Sequence, residues 1–489
     1  MVRGISQIKA RMTVLAMTFV TALCTTLPAP SLAHELPSCR DQWTRLTAAG
    51  QGYQYQAGYR VPETYSAYYA RVRRQDCLKD WTVLVYMEAG HDLAPYALWD
   101  LDEMESGFSA PTPLAASTLT TDLVTEVRVE DTPGIRRLHM FEDDRVRTPR
   151  TLADFQRRTV ADVRSPVIEQ KFSNDRSLAD FVLWGMRRYP ARHTAVIIWG
   201  HGRGWKPVRS KIDDWTHAHA FDSSEVARSL DRVARATGRP VDLFAADSCL
   251  MQSADAVAAL QGLARFAVGS DQIQNLLGFP YRRVLYELNH GALEKAPDPA
   301  AALAWILPRL MLQSYDPRSG SQGRFSRDGA ATVLLSAVDV QRFARVTQPA
   351  LDALALDLAA ALRAARPEGR RNLDFLIGST FALGQSTQDL AVTLGLLRRW
   401  AAADAPALLP RIDAASEALR RSLVSFARGP GYATDPNTSV AGELPVGVSV
   451  WLPQNRDEFS GGLVRYQDSP FINRPQTPWR QWLEALYRS

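Results

Sequence analysis

Cys249 and His201 each follow an apolar segment, and both are residue types that catalyse attack on a carbonyl group. The segment before the cysteine spans residues 241–246, and the one before the histidine spans residues 193–199. A cysteine attacks as the thiolate, which a nearby histidine or the N-terminus of a following helix favours. Gly202 has no side chain, so its N–H group could approach a developing oxyanion. The pattern favours a cysteine nucleophile; a buried inert thiol and a turn histidine are the alternatives.

The number of cysteines sets Cys249 apart from the other three. Cys24 lies in an N-terminal segment that we expect to be removed, and Cys39 and Cys77 flank one short region. An odd number of cysteines in an oxidising compartment leaves one thiol unpaired. We therefore expect a disulfide between Cys39 and Cys77, with Cys249 as the free thiol.

Alternating apolar and helical segments must position these residues. Residues 81–87, 193–199, 241–246 and 265–270 have the continuous apolar character of strands covered on both faces, and amphipathic segments lie between them. This order predicts an α/β fold with a mostly parallel sheet sandwiched by helices. Functional sites in such sheets collect at the carboxyl ends of the strands, where His201 and Cys249 would both lie.

The remaining sequence divides into an N-terminal extension and a C-terminal region. Residues 34–79 are polar and rich in tyrosine, and we expect the α/β domain to span residues 80–300. Residues 301–489 contain longer helical segments rich in alanine and leucine, with a late strand at residues 446–453. This C-terminal part predicts a mainly helical supporting region.

The first 33 residues have the features of a secretory signal. Three basic residues among the first 11 are followed by an apolar stretch at residues 12–27, and the small residues of the Ser31-Leu32-Ala33 segment could serve for cleavage. The apolar stretch is short for a membrane span and is interrupted by threonines. We expect an exported protein, periplasmic or extracellular, without stable membrane insertion after cleavage.

The charge of the chain argues against nucleic acid as a partner. The formal net charge of +5 falls to +2 when residues 1–33, with three basic and no acidic residues, are removed (5 − 3 = 2). Basic and acidic residues are mixed throughout the chain, whereas nucleic-acid binding would require a basic face or stripe.

Several motifs together resemble the clostripain family of cysteine peptidases, which is related more distantly to gingipains, legumains and caspases. The motifs are WTVLVYM, VIIWGHGRGW, DSCLM, GFPY and GVSVWLP, and they occur in this order between residue 81 and the C-terminus. The resemblance implies a caspase- or gingipain-like sandwich and an endopeptidase in which Cys249 is the nucleophile and His201 the proton-transfer partner.

The resemblance also implies the substrate preference. The family acid two residues before the cysteine, here Asp247, lines the pocket that selects Arg or Lys before the cleaved bond. A carboxylate in a partly desolvated pocket pairs well with guanidinium or ammonium, and Asp271 is a candidate second wall of this pocket. A loop or helix-capping role is the alternative for Asp247.

Self-processing and calcium are two further properties known in the family. Relatives are often activated by cleavage between the catalytic histidine and cysteine, and Arg209 and Lys211 are the candidate sites here; an ordinary surface loop is equally consistent with this sequence. Some members use calcium, which the acidic loops permit, although the chemistry itself requires no cofactor. Histidines and aspartates at residues 213–222 match no closed zinc site, so we assign no metal.

One departure from the family keeps a second function open. Where the family usually has Ala-Asp-Asn after the first strand, residues 88–92 read Glu-Ala-Gly-His-Asp, which puts the support or ion-binding role of this loop in doubt. The alternative is a catalytically inactive clostripain-like binding or scaffold protein. A serine hydrolase is disfavoured because no Gly-x-Ser-x-Gly motif follows a strand.

Overall fold

The computed structural model describes most of the chain from Cys77 onwards and three residues before it. The described residues are 38–39, 41, 77–105, 117–118, 120–129, 135–140, 175–205, 220–289, 293–323, 325–326, 329–380, 387–434 and 436–487. The expected signal segment, residues 1–33, lies outside these ranges, as do the candidate processing residues Arg209 and Lys211.

Eight strands form one central sheet, and a separate small sheet contains two more. In chain order, the strands are β1 (Lys79–Ala89), β2 (Thr121–Val129), β3 (Ile135–His139), β4 (Ala191–Gly200), β5 (Val241–Asp247), β6 (Ala264–Gly269), β7 (Leu334–Asp339), β8 (Thr387–Asp389), β9 (Leu423–Arg428) and β10 (Ser449–Trp451). The order across the large sheet is β3-β2-β1-β4-β5-β6-β7-β9, and β10 pairs with β8. Strands β2, β1, β4, β5 and β6 run parallel, and β3, β7 and β9 are antiparallel to their neighbours. The predicted α/β fold is confirmed.

Helices cover both faces of the large sheet. They are α1 (Ala94–Glu105), α2 (Asp175–Arg188), α3 (Ser223–Thr237), α4 (Ala254–Ala259), α5 (Tyr281–Asn289), α6 (Pro299–Ser314), α7 (Gly329–Thr332), α8 (Val340–Arg342), α9 (Gln348–Ala364), α10 (Pro367–Gly378), α11 (Leu390–Asp404), α12 (Leu409–Ser422), α13 (Pro436–Ala441), α14 (Arg456–Gly462) and α15 (Pro478–Tyr487). A π-helical turn, Phe343–Thr347, joins α8 to α9. Helices α2, α3 and α9 pack on one face, and α1, α5 and α6 pack on the other.

The central strands are apolar on both faces because each face has its own core. Within β4, Ile198 belongs to the core cluster under α2 and α3, whereas its neighbour Ile197 belongs to the cluster under α1 and α6. All seven residues of β5 are buried. Successive side chains of a strand point to opposite faces, so a sheet covered by helices on both faces needs continuous apolar runs. This requirement explains why these strands could be recognised from sequence.

The ends of α3 illustrate how local sequence sets helix boundaries. Asp222 accepts hydrogen bonds from the N–H groups of Ser224 and Glu225 at the helix start. Gly238 ends the helix with a φ of 72°, a left-handed conformation that glycine adopts without steric cost. Both boundaries are therefore set by residues directly at the ends of the helix.

The C-terminal region is mainly helical, as expected, and it also contributes strands to the central sheet. Strands β7 and β9 lie beyond residue 300, yet they extend the same eight-stranded sheet. The expected late strand at residues 446–453 is reduced to β10, which pairs with β8 outside the large sheet. Both β8 and β10 have only three residues, too few to show a period.

The N-terminal cysteines form the expected disulfide at the start of β1. The Cα atoms of Cys39 and Cys77 are 4.9 Å apart, and the Cys39 N–H donates to the Leu78 carbonyl at 2.9 Å. This link attaches the described part of the extension to the central sheet. Within the described ranges, no helix combines the length and the apolar character that crossing a membrane requires.

Candidate active site

His201 is the first residue after β4, and the end of β4 pairs with the end of β1. Gly200 has a φ of +144°, and a Cβ at this position would lie 2.7 Å from the Glu88 carbonyl oxygen. The carbonyl of His201 accepts from the Phe221 N–H at 2.7 Å, which fixes the backbone of the histidine. Its imidazole Nε2 lies 2.9 Å from Oδ1 of Asp92. The end of β4 therefore holds His201 beside the turn that follows β1.

Cys249 occupies a tight turn between β5 and α4. Leu250 has a φ of 62°, the only positive value among the described non-glycine residues, and such a conformation is unfavourable for a leucine. Two hydrogen bonds to the loop after β6 hold the turn: the Leu250 N–H donates to Gln272 and the Gln252 N–H donates to Ser270, both at 3.0 Å. Strain at a turn that carries a candidate nucleophile is typical of functional sites.

Gly202 brings the histidine loop and the cysteine loop into direct contact. A Cβ on this glycine would lie 2.2 Å from the Cys249 carbonyl oxygen and 3.0 Å from the Cβ of Ser248. In the short bridge to Phe221, the donors are the N–H groups of Arg203 and Phe221, so the Gly202 N–H takes no part in that bridge. The structure thus places the backbone of Gly202 beside that of Cys249, and the role of its N–H group as an oxyanion donor stays a prediction.

The Cys249 thiol is partly buried and accepts a hydrogen bond from the Gln274 N–H at 3.2 Å. Burial raises the pKa of the thiol, the Gln274 N–H lowers it, and the charge of Asp247 raises it again. The net shift is upward, so the neutral thiol is favoured in this state. This differs from the expectation that a following helix lowers the pKa, because α4 begins only at Ala254, with Ser253 as its N-cap.

Asp247 lies at the end of β5 and is almost fully buried. Its Oδ2 accepts from the Phe279 N–H at 2.9 Å and from the Tyr281 hydroxyl at 3.1 Å. Gly278 has a φ of +55°, and a Cβ there would lie 2.6 Å from the same oxygen. The GFPY motif, residues 278–281, therefore encloses the carboxyl group, and burial raises its pKa to about 7.

Two further acids lie near Asp247. The carboxylate of Asp100 accepts from the indole N–H of Trp199 at 2.6 Å. Burial, followed by the charges of Asp247 and Glu103, raises the pKa of Asp100 well above its usual range, and burial raises that of Glu103 to about 7. Within the described part of the chain, neither Asp247 nor Asp100 has an ion-pair partner.

Asp271, the second candidate wall of the pocket, is fully buried beside a different acid. Burial and the neighbouring carboxyl group of Asp389 raise its pKa well above the usual range. Asp389 caps α11 and also accepts from the N–H groups of Val446 and Gly447, both at 2.8 Å. The structure therefore places Asp271 against the C-terminal region, and its role in substrate binding stays a prediction.

The C-terminal region contacts the cysteine loop directly, a contact that sequence reasoning missed. The Ser449 N–H in β10 donates to the Gln252 carbonyl at 3.1 Å. In addition, the Ser469 hydroxyl donates to Asp255 at the start of α4. The region therefore helps to hold the turn of Cys249, although no spacing in the sequence links residues so far apart.

Asp92 is the second feature that sequence reasoning missed. It belongs to the 3₁₀ turn His91–Leu93, within the loop noted only for its departure from the family pattern. Its position after β1, which pairs in parallel with β4, was the available signal, since parallel neighbours place their carboxyl ends together. Among the described residues, no group of three or more His, Cys, Asp or Glu side chains is arranged to hold a metal ion.

Comparison with known proteins gives the family of the chain. The sequence model of the Clostripain family matches residues 85–366, more than half of the chain, including His201 and Cys249. One similar solved structure is an inactive zymogen C11 protease from Parabacteroides distasonis, with 15% identity and a TM-score of 0.53, covering 84% of this chain and 99% of that one. Another is a secreted C11 cysteine protease from Bacteroides thetaiotaomicron in complex with an irreversible peptide inhibitor, with 17% identity and a TM-score of 0.51, covering 83% and 98%. A comparison with curated proteins found no match. The chain therefore has the fold of the C11 proteases and belongs to the Clostripain family.

Proposed function

We propose that the protein is an exported cysteine endopeptidase that hydrolyses peptide bonds after Arg or Lys. The observation that carries the proposal is the contact between the two candidate catalytic loops, in which a Gly202 Cβ would lie 2.2 Å from the Cys249 carbonyl oxygen. A gap this small holds the histidine loop and the cysteine loop in a fixed relation. The partners of the protein would be proteins or peptides that contain Arg or Lys.

In the proposed reaction, the sulfur of Cys249 attacks the carbonyl carbon of the scissile bond. His201 accepts the thiol proton and passes it to the departing amine, so that a thioester and a new amino terminus form. The Gly202 N–H would stabilise the oxyanion of the tetrahedral intermediate. Water then hydrolyses the thioester and releases the acid product. Because burial favours the neutral thiol, proton transfer would accompany the attack.

The acidic cluster supports the preference for basic side chains. Asp247 lies near enough for its charge to raise the pKa of the thiol, and the carboxyl group of Asp100 lies beside it. An arginine or lysine side chain would supply the cation that this cluster lacks. The hydrogen bonds from Phe279 and Tyr281 both end on Oδ2, so a basic side chain would donate to Oδ1. Because Asp247 is almost fully buried, we propose that the GFPY segment moves when substrate binds.

Export is proposed from the signal-like first 33 residues, and the disulfide of Cys39 and Cys77 is compatible with an oxidising periplasm or extracellular space. Self-cleavage near Arg209 or Lys211 would suit a peptidase with this specificity. Intact mass spectrometry of active protein tests the proposed self-cleavage. A single uncut chain after full activation would contradict it. Calcium, which some members use, takes part in no step of this mechanism.

Fluorogenic peptides ending in Arg, Lys or a neutral residue test the function. We expect Cys249→Ala to lower kcat/KM by about a thousandfold or more. Asp247→Asn should lower kcat/KM for the basic peptides by about a hundredfold, as loss of a buried charge pair predicts. Asp413→Asn, at an exposed residue paired with Arg398, is the matched control and should change neither value.

Each result decides a different part of the proposal. Equal activity of Cys249→Ala would exclude the mechanism, and an unchanged preference in Asp247→Asn would remove only the pocket assignment. A wild-type protein that binds basic peptides without cleaving them would support the alternative, a catalytically inactive scaffold. The altered loop after β1 is the feature that favours this alternative.

A further inference from the structure

The turn after β1 presents an acid to the candidate catalytic histidine. Asp92 Oδ1 lies 2.9 Å from Nε2 of His201, within the range of a good hydrogen bond. The side chain of the histidine is 27% exposed and that of the aspartate 64% exposed, so the pair lies at the rim of the site rather than in the core. The contact joins the ends of two adjacent parallel strands, β1 and β4.

We infer that Asp92 is a positioning residue for His201, an inference that rests on the proposed peptidase function. A carboxylate only accepts hydrogen bonds, so the proton of the neutral imidazole must lie on Nε2. The other ring nitrogen, Nδ1, then has the lone pair that accepts the thiol proton. Asp92 therefore selects the tautomer of His201 and limits the rotation of its ring.

The carboxylate also acts after the proton has moved. Once His201 has taken the thiol proton, its imidazolium carries a positive charge beside the negative charge of Asp92. This pair stabilises the charged form until the proton passes to the departing amine. The loop that departs from the family pattern thus supplies an acid in this chain, instead of being merely a lost support.

Two other His–Asp pairs among the described residues have different surroundings. His139 and Asp122 are 2.8 Å apart, but both are buried, and Asp122 is also paired with Lys79. His193 and Asp242 are 3.6 Å apart, and Arg265 shares that carboxylate. The His201–Asp92 pair differs from both because its histidine follows the strand that leads into the site of the thiol.

The inference is tested with Asp92→Ala and Asp92→Asn in the full chain. With a fluorogenic arginine peptide, Asp92→Ala should lower kcat about 10- to 100-fold with KM within about twofold, the range found when the partner that orients a metal-binding histidine is removed. Asp92→Asn retains an acceptor oxygen without the charge and should fall between Asp92→Ala and wild type. Asp413→Ala, at an exposed and paired aspartate, serves as the control and should leave kcat unchanged.

A second measurement does not depend on activity. Nitrogen-15 NMR of histidine-labelled protein, with His201 assigned by His201→Gln, reports which ring nitrogen carries the proton. We expect the Nε2–H tautomer in wild type and Asp92→Asn, and a mixture in Asp92→Ala. An unchanged kcat or an unchanged tautomer in Asp92→Ala would overturn the inference. If the tautomer responds but wild type cleaves nothing, positioning by Asp92 is supported and the proposed peptidase function fails.

Discussion

Replacing Gly202 with alanine should damage the site without removing any of its polar groups. The added Cβ would lie 2.2 Å from the Cys249 carbonyl oxygen and 2.9 Å from Cγ of Met251. Alanine retains the backbone N–H that would stabilise the oxyanion. Any loss of activity therefore reports the separation of the two loops rather than the loss of a donor.

The size of the effect follows from this distance. Ordinary van der Waals contact begins near 3.4 Å, so the loops must separate by about 1 Å (3.4 − 2.2 = 1.2) to admit the methyl group. A displacement of this size between reacting groups costs about a hundredfold in rate. Overpacking of a close contact lowers the free energy of unfolding by about 1–3 kcal/mol. We expect both effects in Gly202→Ala.

The assay compares Gly202→Ala with a glycine that has space around it. Gly378, the last residue of α10, has no atom within 4 Å of an added Cβ. Gly378→Ala should therefore retain full kcat/KM and lose no stability. Activity is measured with a fluorogenic arginine peptide, and the free energy of unfolding by chemical denaturation. A Gly202→Ala protein within twofold of wild type in kcat/KM would refute the close contact and the argument built on it.

Two further predictions concern buried carboxyl groups. Asp247→Asn removes a charge that raises the pKa of the Cys249 thiol, so iodoacetamide should alkylate the thiol faster in the variant. The rates are compared at about pH 8, above the pKa of about 7 of Asp247, where the wild-type carboxyl group is charged. Equal alkylation rates would contradict the coupling between Asp247 and the thiol. The second prediction is that the stability advantage of Asp271→Asn over wild type widens as the pH rises from about 4.5 to 6.5, measured by chemical denaturation. The folded-state pKa of Asp271 is raised, so its contribution to the stability of the wild-type protein is complete below the unfolded-state pKa of about 4 and is lost as the pH rises. The loss is at most about 1.4 kcal/mol per pH unit, and asparagine, which does not titrate, shows none of it. A constant difference in stability between the two proteins would contradict this prediction.

The central strands and the candidate catalytic residues could be predicted because their signals are local. Strands β4 and β5 are buried on both faces and therefore form continuous apolar runs, and His201 and Cys249 follow their ends within two residues. Helix boundaries such as Asp222 and Gly238 also depend on neighbouring residues only. Each of these features leaves a pattern within one short stretch of sequence.

The missed features depend on residues that are distant along the chain. The contact of Asp92 with His201 spans 109 residues, and that of Asp247 with Phe279 spans 32. The raised pKa values of Asp247 and Asp271 result from burial by several elements, which the sequence around each acid does not show. Strand β7, a segment of six residues within a helix-rich region, gave no sign that it extends the central sheet.

The hydrogen bonds between the C-terminal region and the cysteine loop also set an order of events during synthesis. Asp255, near the cysteine, and Ser469, its hydrogen-bond partner, are separated by 214 residues. The ribosome makes Cys249 long before it makes Ser449 and Ser469, so a growing chain carries the thiol before it carries the residues that fix its turn. The finished geometry is among the last features that a nascent chain can acquire.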